Sequence, residues 1–396
     1  MKVFIVHIGN YLLDGNSGVA QKTFAQASEM RSLGVVVETV AFVHHKKGEL
    51  NHTQPLTIIH CASADPFPTL HEFLDVNVKS TDAVLFRYPF ASPGLLQLVA
   101  KFGRQIIFEH NTIEQEEMLL TQRKHFKKLP FSLSPSYFSY FLRSYVLKQT
   151  WESKFGSEIL KSVIGGISVT HEIASYERSR AKGYNTICIA NGAPKLNDAI
   201  YPAPEFHNRL KVVMVLGNKH VWHGIDRLIE GLKRYRNAEV FIELDFIGFT
   251  GEEVPVVSST DYYKISALGR YNPAQLEAAM QQYHLAVGSL ALHKINLSEA
   301  SPLKVRQCLM AGVPMVLGYT DTDVSNSKTL SRYALNVPAD DSPLNWEEIV
   351  IFYQGLNTIN DLRMKVAAAA DEELSMRVKS AQYVKFIQSL MTGNAQ

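Results

Sequence analysis

Short apolar runs alternate with amphipathic segments along the chain, and this alternation limits the fold more than any other feature. Strand-like runs in the first half fall at residues 3–6, 35–43, 83–86, 105–108, 164–169 and 186–190. Helical patterns such as residues 17–33 separate most of them. Residues 211–317 restart the same pattern. Such alternation is typical of parallel sheets with helices on both faces, so we expect two consecutive doubly wound α/β domains.

The boundary between the domains is expected in the stretch 191–210. This stretch lacks periodicity and contains Gly192, Pro194, Pro202 and Pro204, which favour an irregular linker. We therefore predict a first Rossmann-like domain over 1–205 and a second over 206–371. The tail is helical in pattern, and its last part, about 372–396, is a candidate to pack back on the first domain.

Charge and cysteine content exclude several classes of protein. Lys plus Arg is 40 and Asp plus Glu is 38, so the net charge of +2 predicts no nucleic-acid partner. The three cysteines lie far apart, which fits a reducing cytosol rather than a disulfide framework. The start, MKVFIVHIGN, predicts a first buried strand rather than a signal peptide, and no run approaches the ~20 apolar residues of a membrane span. We expect a cytoplasmic protein.

The signatures of common catalytic sites do not occur in the sequence. There is no Walker P-loop, no G-x-G-x-x-G, no H-E-x-x-H, no C-x-x-C and no G-x-S-x-G. Asp321-Thr322-Asp323 is an Asp-x-Asp triplet, a type that can hold a divalent ion on a sugar diphosphate. It follows a late strand in a polar loop, so we favour a solvated turn there.

Residues 296–318 carry the clearest chemical signal. Ser301 is a good N-cap, Pro302 suits the first helical position and Gly312 suits the helix end. The N-terminus of a helix attracts phosphate, and Lys304 in the first turn opposes the helix dipole unless an anion is present. Glu299 precedes the helix and is placed to accept hydrogen bonds from sugar hydroxyls. A capped helix with a solvated lysine is the open alternative.

This segment resembles the motif of glycosyltransferase family 4, in which two glutamates with seven residues between them precede small residues, Gly, x, Pro and a strand. Here Glu299 is followed after seven residues by Gln307, then by CLMAGVP and MVLG. The resemblance implies a GT-B fold, with two doubly wound parallel-sheet (Rossmann-like) domains facing a cleft. The first domain would lie on the acceptor side and the second would bind the nucleotide sugar.

The resemblance also implies roles for these residues. Glu299 would contact the donor sugar and Gln307 the ribose, although the family has Glu at the latter position. The diphosphate would lie on the turn formed by Ser301, Pro302, Leu303 and Lys304.

Residues 212–232 resemble the family's strand, glycine turn and helix, but with a departure. The family places a basic pair there to hold the diphosphate, whereas this chain has Asn218 and His223. Lys219 and Lys304 are the candidates to supply the missing charge. A helix-start residue without a ligand is the alternative for His223.

Two residues of the first half also match the family pattern. Gly18, in GNSGVAQKTF, would allow the backbone to approach the substrates, although a turn with an N-cap explains it equally well. His110 ends the run QIIFEH, and polar residues at the carboxyl end of such a strand point to the ligand crevice. The resemblance makes His110 a catalytic, donor-contacting residue; a structural histidine is the alternative.

The function that the resemblance implies is retaining transfer of a sugar from a UDP- or GDP-type donor to a hydroxyl of a glycan or lipid-linked acceptor. We expect a hexosyltransferase-like enzyme of bacterial-type surface polysaccharide or glycolipid assembly, with no metal and no cofactor besides the donor. A GT-B sugar-nucleotide epimerase and a non-catalytic GT-B subunit that binds a partner are the alternatives.

A basic and aromatic stretch spans residues 123–154. Seven lysines and arginines stand there against one acid, Glu152, and eight aromatic residues lie among them. Cations with aromatic side chains suit a membrane interface with anionic headgroups, so peripheral association with the inner membrane face is one interpretation. An amphipathic helix that packs its aromatic residues inward is the other.

We expect the protein to co-sediment with anionic liposomes at low salt, because the local charge attracts acidic headgroups. Neutral liposomes are the control. If nothing co-sediments at low salt, the membrane interpretation is wrong.

Overall fold

The computed structural model describes residues 1–15, 17–44, 54–116, 146–196, 202–217, 219–248 and 258–393. They divide into two compact units. Unit 1 is Met1–Ala190 with Lys379–Gln396, and unit 2 is Asn191–Val378. The sequence placed its boundary further along the chain, after residue 205. Most of the basic stretch 123–154 lies outside the described residues, as does Asn218.

The helices of the described residues are α1 (Gly18–Ser32), α2 (Phe67–Asn77), α3 (Pro93–Phe102), α4 (Lys148–Ser162), α5 (His171–Arg180), α6 (Ile225–Arg234), α7 (Pro273–Met280), α8 (Leu303–Met310), α9 (Trp346–Leu356), α10 (Leu362–Leu374) and α11 (Met376–Met391). The strands are β1 (Lys2–Ile8), β2 (Val36–Val43), β3 (Thr57–His60), β4 (Ala83–Arg87), β5 (Ile106–His110), β6 (Gly165–Ser168), β7 (Thr186–Cys188), β8 (Arg209–Val215), β9 (Phe241–Ile247), β10 (Ser258–Ser259), β11 (Tyr263–Ala267), β12 (Leu285–Val287), β13 (Glu299–Ala300), β14 (Met315–Leu317), β15 (Thr320–Asp321) and β16 (Ala334–Asn336). None of these helices is long and apolar enough to cross a membrane.

Unit 1 is built on one parallel sheet. Its strand order is β3-β2-β1-β4-β5-β6-β7, so the chain winds outward first to one side of β1 and then to the other. Successive residues of β1 enter different cores. Phe4 and Val6 pack with apolar side chains of α2, α3 and α4, while Val3 and Ile5 pack with α1 and α11. Burying both faces in this way is characteristic of parallel sheets.

The helix α11 supplies part of this core. Its side chains Tyr383, Phe386, Ile387 and Leu390 are buried against β1, β4 and β5 of unit 1. The hydroxyl of Tyr383 also donates a hydrogen bond to a carboxylate oxygen of Glu109 at 2.6 Å. Each large apolar side chain buried in this way stabilises the fold by roughly 1.5–3 kcal/mol.

Unit 2 is built on a second sheet of the same kind. Its strand order is β10-β11-β9-β8-β12-β14-β16, and all neighbours are parallel except β10 and β11. The chain leaves β8 toward β9 and later returns to the other side of β8 with β12. The prediction of two doubly wound parallel-sheet domains is therefore confirmed. The interval between β8 and β12 is the topological switch point, where such sheets bind ligands.

A small parallel pair, β13 with β15, lies beside this sheet and begins the segment that contains α8. Glu299 stands opposite Thr320, and Ala300 stands opposite Asp321. Asp321 is fully buried and accepts two hydrogen bonds from the guanidinium group of Arg306 on α8. The same guanidinium donates to Asp323 at 3.0 Å and to the carbonyl oxygen of Asn191 at 3.1 Å.

Two expectations for this segment were wrong. The Asp-x-Asp triplet is not a solvated turn, because Asp321 forms a buried ion pair. Ser301 is not the N-cap of α8: Pro302 is, and the hydroxyl of Ser301 instead accepts a hydrogen bond from the backbone N–H of Asn191 at 2.8 Å. The helix consequently begins at Leu303. Its end fits the prediction, since Gly312 follows with a φ of +77°.

Removing one charge of the buried pair should destabilise unit 2 strongly. Asp321→Asn leaves the guanidinium of Arg306 buried with only the partly exposed Asp323 to balance it. A loss of about 3–5 kcal/mol in the free energy of unfolding is expected, measured by urea denaturation. Asp340→Asn is the matched control, because Asp340 pairs with Arg227 from an exposed position. Equal urea midpoints for the two variants would contradict this assignment.

Candidate functional site

A pocket opens at the switch point of unit 2. It encloses about 490 Å³, part of it open to solvent. The ends of β8 and β12 and the first turns of α8 form its wall. Its lining consists of Val215, Leu216, Gly217, His223, Val287, Gly288, Ser289, Pro302, Lys304, Val305, Cys308 and Met315.

The charge of this pocket depends on Lys304. None of the described lining residues is acidic, and no carboxylate of the described chain pairs with the ammonium group of Lys304. Burial lowers the pKa of Lys304, because a charged amine is poorly solvated there. A bound anion would favour the charged form of Lys304.

The other two titratable groups of the lining are neutral at pH 7. Burial lowers the pKa of His223 to about 4, with His220 adding to the effect. The Nδ1 atom of His223 accepts a hydrogen bond from the backbone N–H of His220 at 3.3 Å, so the other ring nitrogen carries the hydrogen and can donate. Burial also raises the pKa of the Cys308 thiol to about 12. The pocket therefore offers hydrogen-bond donors and one cation to a ligand.

The start of α8 adds backbone donors to this wall. Within the described residues no side chain caps the helix, because Pro302 cannot and Ser301 is engaged with Asn191. The first N–H groups of a helix lack intrahelical acceptors and carry a partial positive charge. The helix start and Lys304 thus present positive potential to the same pocket.

The structure brings only some of the predicted residues of unit 2 together. His223, Pro302 and Lys304 line the pocket. Glu299 on β13, Ser301 in the link that follows, and Leu303 and Gln307 on α8 are not among its lining residues. Lys219 is exposed. Sequence reasoning missed Gly217, Gly288 and Ser289. The signal available was a glycine within two residues of the end of each of two neighbouring strands, β8 and β12.

Unit 1 holds the remaining predicted residues. Gly18 is the first residue of α1, and the hydroxyl of Ser17 accepts a hydrogen bond from the N–H of Ala20 at 3.1 Å, which is ordinary N-cap geometry. His110 is 0% exposed. Its Nε2 atom lies 3.1 Å from the hydroxyl of Tyr184, and its ring is 5.0 Å from that of Tyr88. The catalytic role of His110 stays a prediction.

The neighbour of His110 on β5 belongs to a separate buried network. Glu109 accepts a hydrogen bond from the ammonium group of Lys22 at 2.8 Å. Burial opposes ionisation of Glu109, but Lys22 outweighs it and lowers the pKa of that carboxyl to about 2. Lys22 is thus a buried lysine with a carboxylate partner, in contrast to Lys304.

Comparison with solved structures identifies the fold. A glycosyltransferase from Rickettsia africae ESF-5 matches with a TM-score of 0.61 and 13% identity over 98% of this chain and 99% of that one. The Anabaena protein Alr3699/HepE, solved in complex with UDP, matches with a TM-score of 0.58 and 12% identity over 98% and 100% of the two chains. An alpha-glucosyltransferase in complex with UDP and a 13-mer DNA matches with a TM-score of 0.57 and 10% identity over 98% and 100%.

No protein-family model matches the chain, and a search of curated proteins found no match either. The structural similarity nevertheless extends over nearly the full length of this chain and of each of the three solved structures. The chain has the GT-B fold, with two doubly wound parallel-sheet domains.

Proposed function

We propose that the protein is a retaining glycosyltransferase of family 4, which transfers a sugar from a UDP- or GDP-type donor to a hydroxyl of a glycan or lipid-linked acceptor. The observation that carries the proposal is the pocket at the switch point, where Lys304 has no carboxylate partner among the described residues. A pocket with one cation, uncapped helix amides and no acid suits a diphosphate.

The chemistry requires stabilisation of the leaving group. As the glycosidic bond breaks, negative charge grows on the diphosphate and positive charge on the sugar ring. The amides that begin at Leu303 and the ammonium group of Lys304 are fixed before the reaction, so they would stabilise the diphosphate without reorganisation. His223 would donate a neutral hydrogen bond. In this scheme no metal takes part.

The sugar and the ribose would lie on either side of this anion site. Glu299 begins β13, shortly before α8, and would orient the sugar through the hydroxyl groups of the sugar, while Gln307 would hydrogen-bond the ribose. The roles assigned to Gly18, His110, Asn218 and Lys219 remain predictions. Surface polysaccharide or glycolipid assembly is the biological setting that we propose. The low net charge favours a glycan or lipid acceptor over nucleic acid, although three of the neighbouring structures contain DNA.

A second candidate is a non-catalytic GT-B subunit that binds a partner protein. The specific observation in its favour is the neutral His223, which stands where the family has a basic residue. Loss of that cation weakens the attraction for a diphosphate. Nucleotide binding separates the two candidates.

Addition of UDP, GDP or ADP should raise the Tm of the protein in a concentration-dependent manner for at least one nucleotide. Lys304→Met should weaken that binding by about 10- to 100-fold, because a charge-assisted hydrogen bond is lost. Lys233→Met is the matched control, since Lys233 is exposed on α6 and pairs with Glu230. No Tm shift with any nucleotide would favour the partner-binding subunit instead.

Glu299→Ala should abolish sugar transfer while the fold and the nucleotide-induced Tm shift persist, because Glu299 is expected to hold the sugar and not the diphosphate. The assay is release of the nucleoside diphosphate from a panel of UDP- and GDP-sugars. Unchanged turnover in this variant would refute the assignment of Glu299.

A further inference from the structure

A buried cluster in unit 1 brings together one histidine and two glutamates. His110 ends β5, Glu114 follows it, and Glu177 lies on α5. Their exposed fractions are 0%, 4% and 0%. Buried carboxylates need a cation or a hydrogen-bond donor to compensate for the loss of water. The cluster belongs to unit 1, whereas the pocket that carries the proposed function belongs to unit 2.

The distances within the cluster suit a shared ligand better than direct hydrogen bonds. The Nδ1 atom of His110 lies 3.6 Å from Oε1 of Glu114 and 3.6 Å from Oε1 of Glu177. The three residues each offer one atom, and these atoms lie within 4.8 Å of one another. Two ligand atoms, each about 2.1 Å from a tetrahedral metal ion, stand about 3.4 Å apart. The two separations from Nδ1 of His110 are close to this value, so the two glutamate oxygens and Nδ1 could surround a common ion.

Unsatisfied atoms point into this cluster. Nδ1 of His110 and Oε1 of Glu177 are both buried and have no hydrogen-bond partner. The remaining atoms of the two side chains are fixed from outside. Oε2 of Glu177 accepts hydrogen bonds from Arg180 at 2.6 and 3.1 Å, and Nε2 of His110 lies 3.1 Å from the hydroxyl of Tyr184. A metal-ligating histidine typically donates its other N–H to such a partner, which leaves the Nδ1 lone pair for the metal.

A divalent cation would balance the charges of the cluster when its carboxylates are ionised and His110 is neutral. Three buried carboxylates, those of Glu114, Glu152 and Glu177, face a single guanidinium group, that of Arg180. With neutral His110 this leaves two negative charges, which one divalent ion would balance. Imidazole nitrogen with carboxylate oxygen is a ligand set for Zn²⁺ and Mn²⁺.

We propose that His110, Glu114 and Glu177 form a binding site for a divalent transition-metal ion of the Zn²⁺ or Mn²⁺ type. The ion joins the carboxyl end of β5 to α5 and stabilises unit 1. His110 is then a metal ligand, which is an alternative to its predicted contact with the sugar donor. The competing explanation is that protons shared among these three side chains satisfy their hydrogen-bonding atoms without a metal ion.

Equilibrium dialysis of the full chain, with any affinity tag removed, tests the site. Wild type should retain about one equivalent of Zn²⁺ or Mn²⁺ by mass spectrometry, and the metal should raise its Tm. Glu114→Gln keeps the side-chain shape but should weaken binding at least about tenfold. His71→Gln, which alters an exposed histidine paired with Asp75, is the control and should bind as wild type does.

X-ray absorption on Zn²⁺-loaded wild type gives a second measurement that does not depend on the folding of the variant. One imidazole nitrogen and carboxylate oxygens are expected in the zinc coordination shell. Failure of wild type to retain either metal at millimolar concentration, equal binding by Glu114→Gln, or a shell without imidazole would each overturn the proposal.

Discussion

The buried pairing of Arg306 with Asp321 determines the geometry of unit 2 around its pocket. One guanidinium group holds β15, the loop through Asp323 and the carbonyl of Asn191. Because β15 pairs with β13, the same group also fixes Glu299 at the entrance to α8. Burying two charges is costly unless their hydrogen bonds are satisfied, and here Asp321 also accepts from the N–H groups of Asp323 and Val324. The pocket is thus positioned by an interaction that does not itself line it.

Two lysines show that the surroundings of a charged side chain decide whether its charge is paired within the fold or left for a ligand. The side chain of Lys22 is buried in unit 1, and that of Lys304 is half-buried in unit 2. Lys22 is satisfied by Glu109 at 2.8 Å, so its charge is already used within the fold. Lys304 faces a pocket whose described lining holds no acid, so its charge is available to an external anion. A nearly neutral chain can therefore present a locally positive pocket, because local pairing of charges matters more there than net charge.

The sequence predicted what depends on local periodicity and missed what depends on distant partners. The alternation of strands and helices led to both parallel sheets, and Gly312 marked the end of α8, because these follow from neighbouring residues. The sequence predicts Ser301 as an N-cap, but in the structure its hydroxyl accepts a hydrogen bond from the N–H of Asn191, which is far away in the sequence. The sequence likewise predicts a solvated Asp-x-Asp triplet, but Arg306 forms a buried ion pair with Asp321. Likewise, the surroundings of His110 come from Glu177 and Tyr184, whose approach no pattern around residue 110 reveals.

The place of α11 has a consequence for biosynthesis. The helix is translated after all of unit 2, yet its side chains complete the core between β1, β4 and β5. In a nascent chain emerging from the ribosome, α1 can cover part of this face of the first sheet, but the part that α11 covers stays exposed until the second sheet has been translated. Unit 2 is the first of the two whose residues are all available, which reverses the usual order in which the N-terminal domain folds first.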